Sequence, residues 1–213
     1  MRDVRVAILS DIHGNLPALE AVAFHIRHVD AVMCLGDVVN YGPWNDGCLE
    51  LLYTLPGLTF VEGNHEALFL GTESLDHELP LVQQFFHASY SRFTRRDLIE
   101  NLPLEAFLSG YACRHTLGGK KIYEDTNVDF CSDCFIGHTH QAFQVERNGH
   151  RLVNPGSVGF NRKQLNMASY ALFDTVTRDV ALEQVAYPVG VLLSELRALD
   201  YPAECLAYYE SKL

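Results

Sequence analysis

Val4-Arg5-Val6-Ala7-Ile8-Leu9 runs straight into Ser10-Asp11-Ile12-His13-Gly14-Asn15, and this junction decides how the rest of the chain is read. The first half is short, β-branched and bounded by polar residues, which predicts a buried strand. The second half ends that strand with a carboxylate and an imidazole two residues apart, both metal-ligand types. In an open α/β sheet, ligands bind at the carboxyl ends of parallel strands, so Asp11 and His13 are expected at a crevice. One such pair proves little unless other strands deliver matching residues to the same edge.

Moving outward, Leu16, Leu19, Ala23 and Ile26 recur at helical spacing and predict a helix over 16–28, with Pro17 tolerated in its first turn. Residues 30–35 predict a second strand, which ends in Gly36-Asp37. Strand, helix, strand makes a βα unit whose strands run parallel, so Asp37 emerges beside Asp11. A helix from Asn45 or Asp46 to Leu55 stops at Pro56-Gly57, and a short strand over 58–61 runs into Gly63-Asn64-His65-Glu66. Residues 79–93 and 94–102 read as helical, and 107–114 as a strand delivering His115. A Gly-rich loop fills 116–127, and a strand over 130–136 ends in Gly137-His138-Thr139-His140. Hairpins are expected over 142–153, with the Asn148-Gly149 turn signal, and over 170–185, before a last amphipathic helix from Val189.

The chain has 213 residues, 48% apolar and 20% charged, which fits one globular domain over 1–213. No window approaches the roughly 18 apolar residues of a membrane span, and the chain begins directly in its first strand, so a cytoplasmic protein without a membrane partner is expected. The net charge of −11 disfavours a nucleic-acid partner, because phosphate contacts need clustered Lys and Arg, and Arg114, Lys120, Lys121, Arg162 and Lys163 are scattered. If the substrate is a phosphate ester, bound divalent metals would have to supply local positive charge. The six cysteines lie in apolar stretches and read as buried free thiols. Cys131 and Cys134 have the spacing of a redox pair or half a zinc site, but no second pair accompanies them.

The strand-end residues collected this way are Asp11, His13, Asp37, Asn64, His65, His115, His138 and His140. Singly, each has an ordinary explanation as a helix cap, a turn residue or a satisfied polar group. Jointly, carboxylate, amide and imidazole at one sheet edge suit borderline divalent metals such as Mn, Fe, Zn, Co or Ni better than Ca or Mg. Seven ligand groups exceed one ion and fit two bridged by a carboxylate, which could hold a bridging hydroxide and clamp a phosphate during in-line displacement.

Asp-x-His, Gly-Asp, Gly-Asn-His-Glu, a later His and Gly-His-Thr-His, in this order, resemble the calcineurin-like metallophosphoesterase superfamily. The wording of residues 10–21 resembles its small, single-domain bacterial and archaeal phosphodiesterase-like branch. The resemblance implies a four-layer α/β/β/α sandwich of the metallo-dependent phosphatase type and a two-metal site, with Mn the first choice of ion. It implies Asp11, His13 and His140 as ligands of one metal, Asn64, His115 and His138 of the other, and Asp37 as the bridge. His65 would stand outside the metal shell and act on the leaving oxygen. Asn154-Pro155-Gly156-Ser157 would buttress the site. The family usually has His-Gly at the fourth motif; here it is His115-Thr116, so Thr116 is expected to crowd the backbone, and His87 is the fallback ligand. The implied activity is hydrolysis of small phosphodiesters or phosphomonoesters. The rival is a catalytically reduced metal-binding scaffold, against which the presence of His65 argues. The oligomeric state is left open.

Overall fold

The computed structural model describes residues 4–213. Its first sheet contains β1 (Arg5–Leu9), β2 (Ala31–Cys34), β3 (Thr59–Phe60), β9 (Met167–Asp174) and β10 (Val180–Ala186), in the order β10-β9-β1-β2-β3. The strands β1, β2 and β3 are mutually parallel, as the βα reading requires, while β9 and β10 add antiparallel at the other edge. The second sheet has the order β4-β5-β6-β8-β7, from β4 (Glu105–Leu108), β5 (Tyr111–Arg114), β6 (Cys134–Phe135), β7 (Ala142–Arg147) and β8 (His150–Pro155). Its three central strands, β5, β6 and β8, are also parallel. Six helices complete this mixed α/β fold: α1 (Leu16–His25), α2 (Asn45–Tyr53), α3 (Asn64–Leu70), α4 (Pro80–Tyr90), α5 (Val189–Ala198) and α6 (Ala203–Glu210).

The period-2 alternation of the strands sorts their side chains between layers. Val6 and Ile8 of β1 face the second sheet, where they pack with Met33, Cys113, Phe135, Val153 and Phe173. Ala7 and Leu9 face the other way, onto Leu19 and Val22 of α1, Ile26 just past its end, and Leu49 and Leu52 of α2. The two sheets are therefore held face to face by a closed apolar layer, in which each fully buried Ile, Val or Phe contributes about 1.5–3 kcal/mol. A third cluster ties Phe85 of α4 to Leu192, Leu196 and Tyr209 of the last two helices, around Tyr41 and Phe160. The outer face of the second sheet is covered by coil, with Leu117, Ile122, Val128 and Phe130 packed on Phe143 and Leu152. Gly118-Gly119 and the polar run that follows give that segment no helical stripe.

Three local expectations change. The strand expected over 107–114 is two strands, β4 and β5, joined by a tight turn in which Ser109 and Gly110 both take positive φ. The strand expected over 130–136 keeps only β6, because the Asp133 side chain anchors the preceding bend, accepting from Arg151 N at 2.8 Å and pairing with Arg178. The region 94–102 holds only a single 3-10 turn, Arg96–Leu98, instead of a helix. Gly63-Asn64-His65-Glu66 forms the N-cap and first turn of α3, where Glu66 at the third helical position caps the helix start. The Asn148-Gly149 hairpin forms as expected, with both residues at positive φ. Among the described residues no helix is long and apolar enough to cross a membrane.

Candidate metal centre

The strand-end motifs arrive at one edge, where the carboxyl ends of β1, β2, β3, β5 and β6 meet. The loops after β1 and β2 are zipped together: Asp11 N donates to Gly36 O at 3.0 Å and His13 N to Asp37 O at 3.0 Å. From the other side Ser157 Oγ donates to Asp11 O at 2.7 Å, and Gly159 N to the same carbonyl at 3.0 Å. The Asn154–Ser157 loop thus buttresses the backbone that presents Asp11. Of the eleven non-glycine residues with positive φ among the described residues, seven lie here: Asp11, His13, Asp37, Asn40, Tyr41, His138 and His140. Left-handed backbone costs a non-glycine residue about 1 kcal/mol or more, and it is least costly for Asp, Asn and His, which are also the ligand types. Glycine is needed where the loops touch, since a Cβ at Gly63 would collide with Asp37 Oδ1 and one at Gly137 with Ser10 Oγ.

The side chains converge in two groups that share an edge. In the first, His13 Nε2 lies 3.1 Å from His140 Nε2, and these atoms stand 3.8 and 3.4 Å from Asp11 Oδ1. In the second, His115 Nε2 lies 3.0 Å from Asp37 Oδ2, and His138 Nδ1 lies 3.0 Å from Asn64 Oδ1. The ligand-type atoms of Asp11–His13–His140, of Asp37–His115–His138, and of a third set that joins His13 and Asp37 to His65, each fall within 4.8 Å of one another. Asp37 thus stands between the halves. His115 takes the position expected of it, buried at the site, and Thr116 keeps ordinary backbone with no positive φ. His87 does not join: it is exposed in the last turn of α4.

The protonation of these rings follows from their outer hydrogen bonds. Nδ1 of His13 donates to Val39 O at 3.2 Å, that of His140 to Phe160 O at 2.7 Å, and that of His115 to Leu35 O at 2.8 Å. A carbonyl can only accept, so in the neutral ring each Nε2 is a bare lone pair turned inward. Two such lone pairs then face each other at 3.1 Å beside Asp11 Oδ1, an oxygen that has no hydrogen-bond partner. A third faces Asp37. Acceptors crowded against acceptors in a buried site require a cation, either a proton or a metal. Nitrogen and oxygen donors in this mixture fit borderline divalent ions.

The charge states agree with that reading. Burial, with His140 and His65 adding, holds the imidazole of His13 well below its ordinary value, and burial does the same at His140. Burial and His115 hold His138 at about 4. These three rings are therefore neutral and available as ligands at neutral pH. His115 is the exception, because the carboxylate of Asp37, 3.0 Å from its Nε2, overcomes its burial and raises it to about 10, which favours the charged ring in the metal-free protein. Asp11 is pushed up to about 7, chiefly by burial, although His115 favours its charged form.

Two residues outside the expected ligand set complete the centre. Glu66 is fully buried, and its carboxylate accepts from Asp37 N at 2.7 Å, Val38 N at 2.7 Å, Val39 N at 3.2 Å and Gly63 N at 2.9 Å. Burial and Asp37 push its carboxyl up to about 7, but four N–H donors leave no acceptor for a carboxyl proton and favour the ionised form. Asn40 Oδ1 accepts from Tyr41 N at 2.7 Å and Ser89 Oγ at 3.2 Å, which fixes the amide so that Nδ2 donates to His65 Nδ1 at 2.8 Å. His65 therefore carries its proton on Nε2, the atom that lies 3.8 Å from Asp37 Oδ2. The capping spacing of Gly63 and Glu66 was a sequence signal for the first of these; Asn40 had none. Of the cysteines, all six are free and five are buried, while Cys131 is exposed, against the expectation of a core thiol. No cysteine joins a metal-type cluster among the described residues.

At the centre opens a cleft of about 1080 Å3, whose lining includes the aromatic Tyr41, Phe160 and Tyr208 and the acidic Glu62, Glu73 and Glu78. The same chain matches known proteins along most of its length. The sequence profile of the calcineurin-like phosphoesterase superfamily domain covers residues 4–178. An uncharacterised protein of Methanocaldococcus jannaschii, MJ0912, is 31% identical over 215 residues, spanning 86% of this chain and 88% of the relative. The crystal structure of a metallophosphoesterase from Sphaerobacter thermophilus is 26% identical, superposes with a TM-score of 0.80 and covers 100% of both chains. The hypothetical protein PH1004 from Pyrococcus horikoshii, at 17% identity, shares the fold with a TM-score of 0.82 over 97% of both chains. Motifs, sheet topology and profile lead to one conclusion: the chain belongs to the calcineurin-like phosphoesterase superfamily, whose membership supports hydrolysis of phosphoric esters in general.

Proposed function

We propose that this chain is a dimetal-dependent hydrolase of small phosphate esters, diesters or monoesters, with Mn as the first candidate ion and Fe, Zn, Ni or Co as alternatives. The observation that carries the reading is the pair of bare Nε2 lone pairs of His13 and His140, which face each other at 3.1 Å beside the unpartnered Asp11 Oδ1, an arrangement that needs a cation, with His115 Nε2 3.0 Å from Asp37 Oδ2 in the other half. Asp11, His13 and His140 would hold one ion, Asn64, His115 and His138 the other, and Asp37 both. When bound, the two ions supply Lewis acidity and an activated water for in-line displacement at phosphorus. The free thiols favour a reducing compartment such as the cytoplasm.

The remaining chemistry belongs to the chain itself. Asn40 holds His65 with its proton on Nε2 in the lining of the cleft, where it can donate to an oxygen that gains charge as the ester bond breaks. Glu66 and the Ser157 loop fix the two carboxylates before substrate arrives, so that little reorganisation is needed during reaction. A scaffold that only bound metal would have no use for the oriented proton on His65.

The direct test is release of p-nitrophenol from mono- and bis-substituted nitrophenyl phosphates by the Mn-loaded protein. His65→Gln should keep both ions and lose about 10²–10³ in kcat, the range for removing one positioned donor or general acid. Equal inertness of wild type and variant across a broad phosphoester panel would overturn the reading.

A further inference from the structure

Resting on the hydrolytic reading, we infer that Arg162 grips the phosphoryl group beside the metal centre, and that the cleft selects small esters carrying a single phosphate. Arg162 lines the cleft together with His65, His140, Tyr41 and Phe160. Its Nε is sealed from solvent and has no hydrogen-bond partner, although a buried guanidinium donor left unmatched is costly. Arg95, Arg114, Arg178 and Arg197 are each paired with a carboxylate, whereas Arg162 makes no ion pair among the described residues. In a chain of net charge −11, a half-buried arginine without an acid partner, opening on a cleft, is waiting for an anion from outside.

Its position is fixed by the loop that carries it. Two residues earlier, Phe160 O accepts from His140 Nδ1, so one short segment both orients a ligand-type histidine and presents the guanidinium. Between them the buried Asn161 turns the chain, its Oδ1 accepting from Lys163 N at 3.0 Å and Gln164 N at 3.1 Å, while its Nδ2 donates to Ser169 Oγ at 3.2 Å. Because Arg162 lines the same cleft as His65 and His140, the guanidinium and the centre open on one space, where a phosphate oxygen would be presented.

The rim of the same cleft sets the limit on substrate charge. Glu62, Glu73 and Glu78 line it without an ion-pair partner among the described residues, Glu105 is paired with Arg114, Lys121 is a second cation there, and burial together with Glu73 raises the carboxyl of Glu62. Further phosphates along a substrate would meet this acidic border, whereas an apolar or aromatic substituent would meet Tyr41, Phe160 and Tyr208. One phosphoryl group at Arg162, with an uncharged organic substituent lying along the aromatic wall, satisfies both surfaces.

Two measurements on the Mn-loaded protein test this separately from the hydrolytic reading. Calorimetric titration with inorganic phosphate and with tripolyphosphate should show that wild type binds phosphate, and binds tripolyphosphate no more tightly despite its higher charge. Arg162→Gln should weaken phosphate binding tenfold or more at unchanged metal content and unchanged thermal midpoint, and Arg162→Lys should restore part of it. Turnover of nitrophenyl phosphate should follow, with KM raised in Arg162→Gln. If wild type hydrolyses esters while Arg162→Gln matches it in phosphate affinity and KM, the inference fails and the hydrolytic reading stands. If wild type binds phosphate through Arg162 but turns over no ester, the gripping role stands and the hydrolytic reading fails. A wild type that binds no phosphate, or prefers tripolyphosphate strongly, overturns the inference.

Discussion

Asp37→Asn is expected to reduce bound metal from two ions per chain to one or none, and to lower turnover by at least about 10³-fold. The substitution conserves volume and spares the hydrogen bond that His65 N donates to Asp37 Oδ1 at 2.9 Å. It removes the one anion that faces both halves of the site, 3.0 Å from His115 Nε2 and 3.8 Å from His65 Nε2. Asp37 is also what keeps His115 charged in the metal-free protein, so its removal lets burial drive that ring toward the neutral state. Elemental analysis together with steady-state kinetics provides the check, with the thermal midpoint of the metal-free variant as the folding control. A variant that retained two ions and turnover within tenfold of wild type would exclude Asp37 as the bridge.

Glu66→Ala is expected to destabilise the metal-free protein by about 4 kcal/mol, since it strips the partners from four buried backbone N–H groups at once. Each orphaned donor costs about 1–3 kcal/mol, and relaxation of the loop after β2 recovers part of the sum. In a chain of this size such a loss lowers the thermal midpoint by about 10 °C. Glu66→Gln should be nearly as damaging despite its matching shape, because an amide NH2 would face N–H groups that need acceptors. That near-equality separates a lost acceptor from a simple cavity, and chemical denaturation of both variants measures it. A loss below about 1 kcal/mol in Glu66→Ala would show that the carboxylate does not hold the loop.

The centre was legible in the sequence because each ligand type follows a short apolar run. Asp11 after β1, Asp37 after β2, Asn64 after β3 and His138 after β6 can be placed on one edge once those strands are taken as parallel. Periodicity and strand ends carry that information. It does not extend to contacts between distant residues, and Glu66 illustrates why. Its letter belongs to a visible motif, yet its role depends on α3 turning back so that the carboxylate reaches Asp37 to Val39, 27–29 positions earlier in the chain. Asn40 is decided by an amide orientation that only Tyr41 N and Ser89 Oγ define. In the sequence Arg162 is one of several scattered cations, and only the fold shows that its Nε is buried without a partner beside the cleft. The second sheet was the harder part of the fold, because its edge hairpin hides in one continuous run and β6 is two residues long. The coil over its outer face has no repeating apolar pattern to read.

The central claim is that two cations, rather than protons, satisfy the inward-facing acceptors of His13, His140, His115, Asp11 and Asp37. An anomalous difference map from Mn-soaked crystals, recorded above and below the metal edge, measures this directly. The account predicts two peaks roughly 3.5–4 Å apart, one against Asp11, His13 and His140, the other against Asn64, His115 and His138, with Asp37 touching both. A map with no peak at this edge of the sheets, or with a single peak that leaves His115 bonded only to Asp37, would contradict it.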